Sequence, residues 1–397
     1  MPLLNMLQPP IVISFCNFTA MATVIVSVIS DLVTDQRVHR SSQTLHEMGF
    51  DVLLVGTKKN KSLPFTARSY KTKRFTMLFQ KGFLFYAEWN IRLFFFLLFK
   101  RSDILLANDL DTLPSNFLAS KCRSSVLVYD THEFFTEMAE LYNRPFVKKI
   151  WQRIENYLFP KLRYILTVNK SIALLYKQKF NKEPVVVRNI SALLNGDGEI
   201  LNFSFPDNKK ILLVQGAGLN ENRGLEELIQ SVQLIADDFI LVIAGSGLLI
   251  EHLKQLAAGE LNKRIFFTGL LAPQQLRQLT KTAWCGFSLD KPVNINQQAS
   301  LPNKLFDYIA AGVPVVASNI TEVAAIVTEY KVGKIIDTVT PETIAAAVNS
   351  LATENELYHQ YKSNTTAAAK QLNWDNEKII LQNLFIKVAT ENNIAIG

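Results

Sequence analysis

One pattern constrains this chain more than any other, and it is used twice. Short apolar runs rich in β-branched residues alternate with stretches of helical periodicity. The first series runs through Thr23–Ile29, Asp51–Val55, Ile104–Ala107, Val126–Tyr129, Tyr164–Val168 and Val185–Val187. The second runs through Ile211–Gln215, Ile240–Ala244, Ile265–Thr268, Cys285–Leu289 and Val313–Ala317. Strands that are apolar on both faces and separated by helices predict parallel sheets covered on both sides. The fold class expected is therefore α/β, with two doubly wound, Rossmann-like parallel-sheet domains facing a central cleft. Residues 1–20 are expected to be a poorly ordered extension, or else an N-terminal anchor. The first domain is expected over 21–190, a linker over 191–207 and the second domain over 208–375. Residues 376–397 are expected to hold a helix packing back towards the first domain.

Composition narrows the function classes. With 397 residues, 48% apolar and 19% charged, the chain suits a globular protein with large cores. Its three cysteines are far apart, so no disulfide framework or zinc site is indicated. A reducing, cytoplasmic setting is the default expectation. The net charge of +7 is concentrated: Lys58 to Arg101 holds 11 Lys and Arg against one acid, Glu88. Such a block points to an anionic partner for one face. It brackets an aromatic stretch, Phe75–Phe99, in which Phe79, Phe83, Tyr86, Asn90 and Leu93 fall roughly on one helical face. Two readings follow: a core helix with basic flanks, or docking onto an anionic membrane surface. Nucleic acid fits less well, because Leu93–Phe99 is a continuous apolar run rather than interleaved stacking residues.

The segment SLPNKLFDYIAAGVPVVAS, Ser300–Ser318, is the most informative for chemistry. Ser300 reads as an N-cap and Pro302 as a first-turn residue. A helix N-terminus with Asn303 and Lys304 in its first turn attracts phosphate. Asp307 lies on the same face as Lys304, where a carboxylate accepts hydrogen bonds from a sugar hydroxyl. Asp109-Leu110-Asp111 has the form of a metal-binding pair, but after a strand it reads as a turn and helix cap. After Gln215 the sequence runs Gly216-Ala217-Gly218-Leu219-Asn220-Glu221. It lacks the third glycine of a dinucleotide fingerprint, which disfavours an oxidoreductase.

These segments, in this order, resemble the glycosyltransferases of family four, the group 1 transferases with the GT-B fold. Ser300–Ser318 is similar to their nucleotide-binding signature. Ser30–Gly56, Ala107–Pro114, Val128–Glu137, Val185–Asn189, Gln215–Gln230 and Ile243–Leu253 resemble their loops and strand ends. The resemblance implies a retaining, metal-independent transfer of a hexose-type unit from a nucleotide diphosphate sugar to a glycan or lipid-linked hydroxyl. It further implies a role in cell-surface polysaccharide or glycolipid synthesis, in the cytoplasm or at the inner face of the membrane. No cofactor or metal is expected. Arg223 matches a basic residue that binds the donor diphosphate, and Lys304 is placed for a second contact. Asp307 matches the second Glu of the E-x7-E motif, which binds the ribose. Gly216, Gly218, Gly245, Gly247 and Asn303 complete the donor-binding set. His132 matches a histidine near the donor sugar and the reaction centre. Asp35 and Arg37, at the start of the first helix, are candidates for acceptor or phosphate contact, with a surface role for Arg37 as the alternative.

Two positions depart from the family. Ala299 replaces the first Glu of E-x7-E, so sugar recognition must differ. Ala217 stands where an arginine of the diphosphate pair is common. These changes keep two other functions open: a non-catalytic GT-B-like binding or assembly subunit, and a nucleotide-sugar epimerase.

Overall fold

The computed structural model describes residues 21–33, 35–58, 62, 64–138, 141–191, 203 and 205–397. Residues 1–20 and most of the expected linker lie outside the described residues, as do Lys59 and Lys61 of the basic block.

Two parallel sheets organise the chain. The first contains β1 (Thr23–Asp31), β2 (Asp51–Lys58), β3 (Lys71–Thr76), β4 (Ile104–Asn108), β5 (Val126–Thr131), β6 (Tyr164–Thr167) and β7 (Val185–Val186), in the spatial order β3-β2-β1-β4-β5-β6-β7. The second contains β8 (Lys210–Gly216), β9 (Phe239–Gly245), β10 (Ile265–Gly269), β11 (Ala283–Ser288), β12 (Val315–Ser318) and β13 (Gly333–Ile336), in the order β10-β9-β8-β11-β12-β13. Every paired strand is parallel to its neighbour. In each sheet the strand order reverses beside the first strand, between β1 and β4 and between β8 and β11. Ligand crevices of doubly wound sheets open beyond the carboxyl ends of the strands at such points. This is the two-domain α/β architecture that the alternating pattern predicts.

Two strands were not apparent in the sequence pattern. Lys71–Thr76, part of the basic block, is the edge strand β3, and it alternates exposed and half-buried positions. Lysines on an edge discourage pairing with other chains. The four-residue β13 closes the opposite edge of the second sheet.

The last helix, Trp374–Glu391, belongs to the first domain's core. Trp374, Leu381, Leu384, Phe385 and Val388 are buried with Val24, Val38, Leu45 and Phe50. Arg188, just after β7, holds Glu377 through two guanidinium nitrogens at 3.0 and 2.8 Å. The Trp374 indole donates to Thr44 at 3.3 Å.

The Gly82–Phe99 helix is not a simple core helix. Only Trp89, Leu93 and Leu97 are buried, whereas Phe79 and Phe83, expected on the same face as Leu93, are exposed.

Candidate functional site

Strand ends gather charged groups at two places. In the first domain, β5 delivers Asp130 and then His132. Arg37, one residue into the Gln36–Glu47 helix, meets Asp130 with Nη2 at 2.8 Å and Nε at 3.2 Å. Its Nη1 donates to the Val187 carbonyl at 2.8 Å. Both partners are almost fully buried. This corrects the surface reading of Arg37, whose guanidinium is buried and tied to the protein by these bonds. Asp35 accepts from the Val38 amide at 3.0 Å and from the Ser30 hydroxyl at 2.6 Å, so it is the N-cap of that helix.

His132 is bracketed by two carboxylates. Its Nδ1 lies 3.1 Å from Asp109 Oδ2 and its Nε2 lies 3.5 Å from Asp130 Oδ2. The His132 amide also donates to Asp109 Oδ1 at 3.0 Å. A neutral imidazole carries one N–H, and here both ring nitrogens face acids, so the arrangement suits the doubly protonated ring. Burial opposes that charge, but Asp109 and Asp130 outweigh it and hold the imidazole pKa well above its ordinary value. Burial likewise disfavours the Asp130 anion, yet Arg37 and His132 keep its pKa well below the usual carboxylate range. Asp109 has φ +63°, a left-handed turn conformation open to Asp. It forms the expected turn but no helix cap, since Thr112 precedes the Leu113–Arg123 helix without a side-chain cap bond. The carboxyl group of Asp111 is buried with one oxygen unpartnered; burial, then the nearby Asp109, push its pKa well up.

In the second domain the cations behave differently. Arg223 Nη1 lies 2.8 Å from Asp290 Oδ1, and Lys304 Nζ lies 3.7 Å from the same oxygen. Asp290 Oδ2 is buried without a hydrogen-bond partner. Burial lowers the Lys304 pKa, with Asp290 opposing and Arg223 adding to the effect. Asp290 was missed in the sequence because it belongs to none of the recognised motifs; its place two residues beyond β11, at the strand-order reversal, was the available signal. Gly224 makes the juxtaposition possible. It has φ +68°, and a Cβ there would lie 2.6 Å from the Leu289 carbonyl oxygen, next to Asp290.

Lys304 and Asn303 open the Asn303–Ala310 helix. Its cap is Pro302, not Ser300, whose hydroxyl is buried without a partner. Pro302 has an extended backbone and its ring fixes the entry, so the helix begins two residues later than Ser300 would set it. Asp307 accepts from the Ser191 hydroxyl at 2.5 Å and from Gln215 Nε2 at 3.2 Å. Burial raises its pKa against these bonds and against the Arg40 charge. The end of β9 at Gly245 packs on the end of β8 at Gly216. Gly245 has φ +141°, and a Cβ there would lie 1.8 Å from the Gly216 carbonyl oxygen. Close backbone approach therefore accounts for Gly245, and likewise for Gly247 against Leu219; Gly216 and Gly218 have room for a side chain.

The two domains touch through the short Ile295–Gln298 helix and its neighbours. Asn296 accepts from the Phe134 amide at 3.1 Å and donates to Glu133 at 2.8 Å. The Ala299 carbonyl accepts from Asn169 at 2.7 Å, and Ala299 is buried in the first domain's cluster around Phe134 and Tyr176. The segment leading from Asp290 to Lys304 thus abuts the residues that follow His132.

Comparisons with known proteins bear on the fold. Residues 199–368 match the family model described as Glycosyl transferases group 1. The chain adopts the GT-B fold, and its second domain is similar to the group 1 glycosyl transferases over the matched residues. An uncharacterized glycosyltransferase of Methanocaldococcus jannaschii is 23% identical over 252 residues, 61% of each chain. The chain thus spans about three fifths of that curated relative's length. Among solved structures, sucrose-phosphate synthase from Thermosynechococcus elongatus superposes with a TM-score of 0.73 at 13% identity, covering 93% of this chain and 100% of that one. Anabaena HepE in complex with UDP and glucose superposes with a TM-score of 0.66 at 14% identity, with coverages of 93% and 100%.

Proposed function

We propose that the protein transfers a hexose-type sugar from a nucleoside diphosphate sugar to a glycan or lipid-linked hydroxyl, with retention at the anomeric carbon. Cell-surface polysaccharide or glycolipid synthesis is the setting such acceptors define. The observation that carries the proposal is the convergence of Arg223 and Lys304 on Asp290 at the β8/β11 reversal, 2.8 and 3.7 Å from one oxygen. Two cations sharing one carboxylate leave an excess of positive charge. A diphosphate gains negative charge as its bond to the sugar breaks, and fixed cations with the amides of the Asn303–Ala310 helix lower the energy of that state. The UDP held by the HepE relative is a donor fragment of this chemistry.

In this reading the C1–O bond to the diphosphate breaks and the acceptor oxygen bonds C1 on the same face. The acceptor proton passes to the departing phosphate oxygen. His132, with carboxylates at both nitrogens, is a positioning cation near the sugar rather than a general base. With Ala299 turned into the first domain, the sugar hydroxyls are recognised by groups other than the missing Glu.

A panel of nucleoside diphosphates and their sugars tests the proposal, first by thermal shift and then by transfer assay. One nucleoside diphosphate should raise Tm, and its sugar should support transfer. Arg223→Ala and Lys304→Ala should each weaken donor binding by about 1.5–3 kcal/mol through loss of a charged hydrogen bond. Unchanged donor affinity in both variants overturns the assignment.

A further inference from the structure

The Gly82–Phe99 helix crosses between β3 and β4, and a crossover helix in such a domain ordinarily turns a polar face outward. This one does not. Its inner stripe, Trp89, Leu93 and Leu97, is buried against the sheet. Its opposite side carries Leu84, Ile91 and Phe95, with Phe83 at its start and Phe99 at its end; Phe83 is 74% exposed, Phe95 53% and Phe99 81%. By length and composition alone it is apolar enough to cross a membrane. The inner stripe, packed in the domain core, instead fixes it along a surface.

The charges around this face are sorted. Lys81 precedes the helix, Lys100 and Arg101 follow it, and all three are exposed. Arg92 borders the apolar side. The helix's one acid, Glu88, is turned away from solvent. Its carboxylate accepts from the Leu78 and Phe79 amides at 3.0 Å and pairs with Arg92 at 3.0 Å. That bond holds two further exposed apolar side chains, Leu78 and Phe79, beside the helix. An apolar strip with cations at both ends and its acid neutralised is complementary to a bilayer with anionic headgroups.

We propose that this face of the first domain docks on an anionic lipid bilayer, with Phe83, Leu84, Ile91, Phe95 and Phe99 in the headgroup boundary and Lys81, Lys100 and Arg101 on the headgroups. The helix's inner side reaches the candidate site: Asn90 Nδ2 donates to the Asp111 carbonyl at 2.8 Å. One helix thickness, about 10 Å, therefore separates the bilayer from the first-domain cluster. Resting on the transfer reading above, this names the acceptor's source as a lipid in that bilayer.

Flotation of the full chain with vesicles decides the matter. It should float with vesicles of phosphatidylglycerol and phosphatidylcholine in equal parts, and about tenfold less with phosphatidylcholine alone. The double variant Ile91→Glu/Phe95→Glu should lose flotation at least tenfold while its Tm is unchanged. Lys100→Gln/Arg101→Gln should weaken it severalfold and flatten its salt dependence. Equal flotation on both vesicle types, none on either, or a double variant that floats like the parent overturns the proposal. So does a concentration-dependent dimer that the double variant abolishes, since a second copy would then cover the face. Stabilisation by nucleoside diphosphate, measured without vesicles, reports separately on the transfer reading.

Discussion

In the first domain Arg37 and a protonated His132 face Asp130 and Asp109, so cations and carboxylates cancel inside a buried cluster. In the second, Arg223 and Lys304 have Asp290 between them, and Arg223 is partly open to solvent. The first arrangement is electrically complete and suits the handling of neutral sugar and hydroxyl groups. The second is left with an excess of about one positive charge and suits an anion. The proposed transfer from an anionic donor to a neutral hydroxyl would use the two domains according to that difference in charge.

The largest effect expected from breaking this contrast is at Arg37. Arg37→Ala leaves Asp130 buried without its guanidinium, which should cost about 3–5 kcal/mol of stability in denaturant unfolding. A loss below about 1 kcal/mol, the range of an exposed pair, would place the first cluster in solvent-like surroundings. Asp290→Asn should behave oppositely towards ligand. The bare protein should lose about 1–3 kcal/mol, because two cations then face each other with less compensation. Saturating nucleoside diphosphate should restore more stability to the variant than to the parent. An unchanged ligand-induced shift would show that the second cluster is not short of negative charge.

The smallest effect concerns protonation. His132 holds its proton more tightly in the folded chain than its free pKa of 6.5 implies. Its contribution is therefore complete below that value and is lost as pH rises through the higher folded value. Stability should decline on that side by up to about 1.4 kcal/mol per pH unit. The slope should flatten in His132→Gln. An identical slope in the variant would assign the titration to another group.

How much of this was readable from residues alone depends on the range of the forces involved. The core strands were legible because β-branched runs report burial on both faces locally. β3 was not, because its alternating lysines resemble a solvated flank and only pairing with β2 makes them a strand edge. Arg37 could be read from the sequence only as a ligand contact or a surface residue, because its partners, Asp130 and Val187, lie 93 and 150 positions away. Arg223 and Lys304 were visible through their motifs, whereas the carboxylate that joins them was not. The replacement at Ala299 reads in the sequence as a lost sugar contact. In the structure its side chain fills a space in the first domain's core, so a longer residue would have to displace that packing.

The closing helix gives the molecule an unusual order of assembly. Val24 and Val38 are made early, yet the side chains that seal them, Leu381, Phe385 and Val388, leave the ribosome only after the second domain. The amino-terminal sheet must wait, partly uncovered, while the whole of the other domain is synthesised. A stop codon before Trp374 would therefore injure the half of the protein farthest from it in sequence.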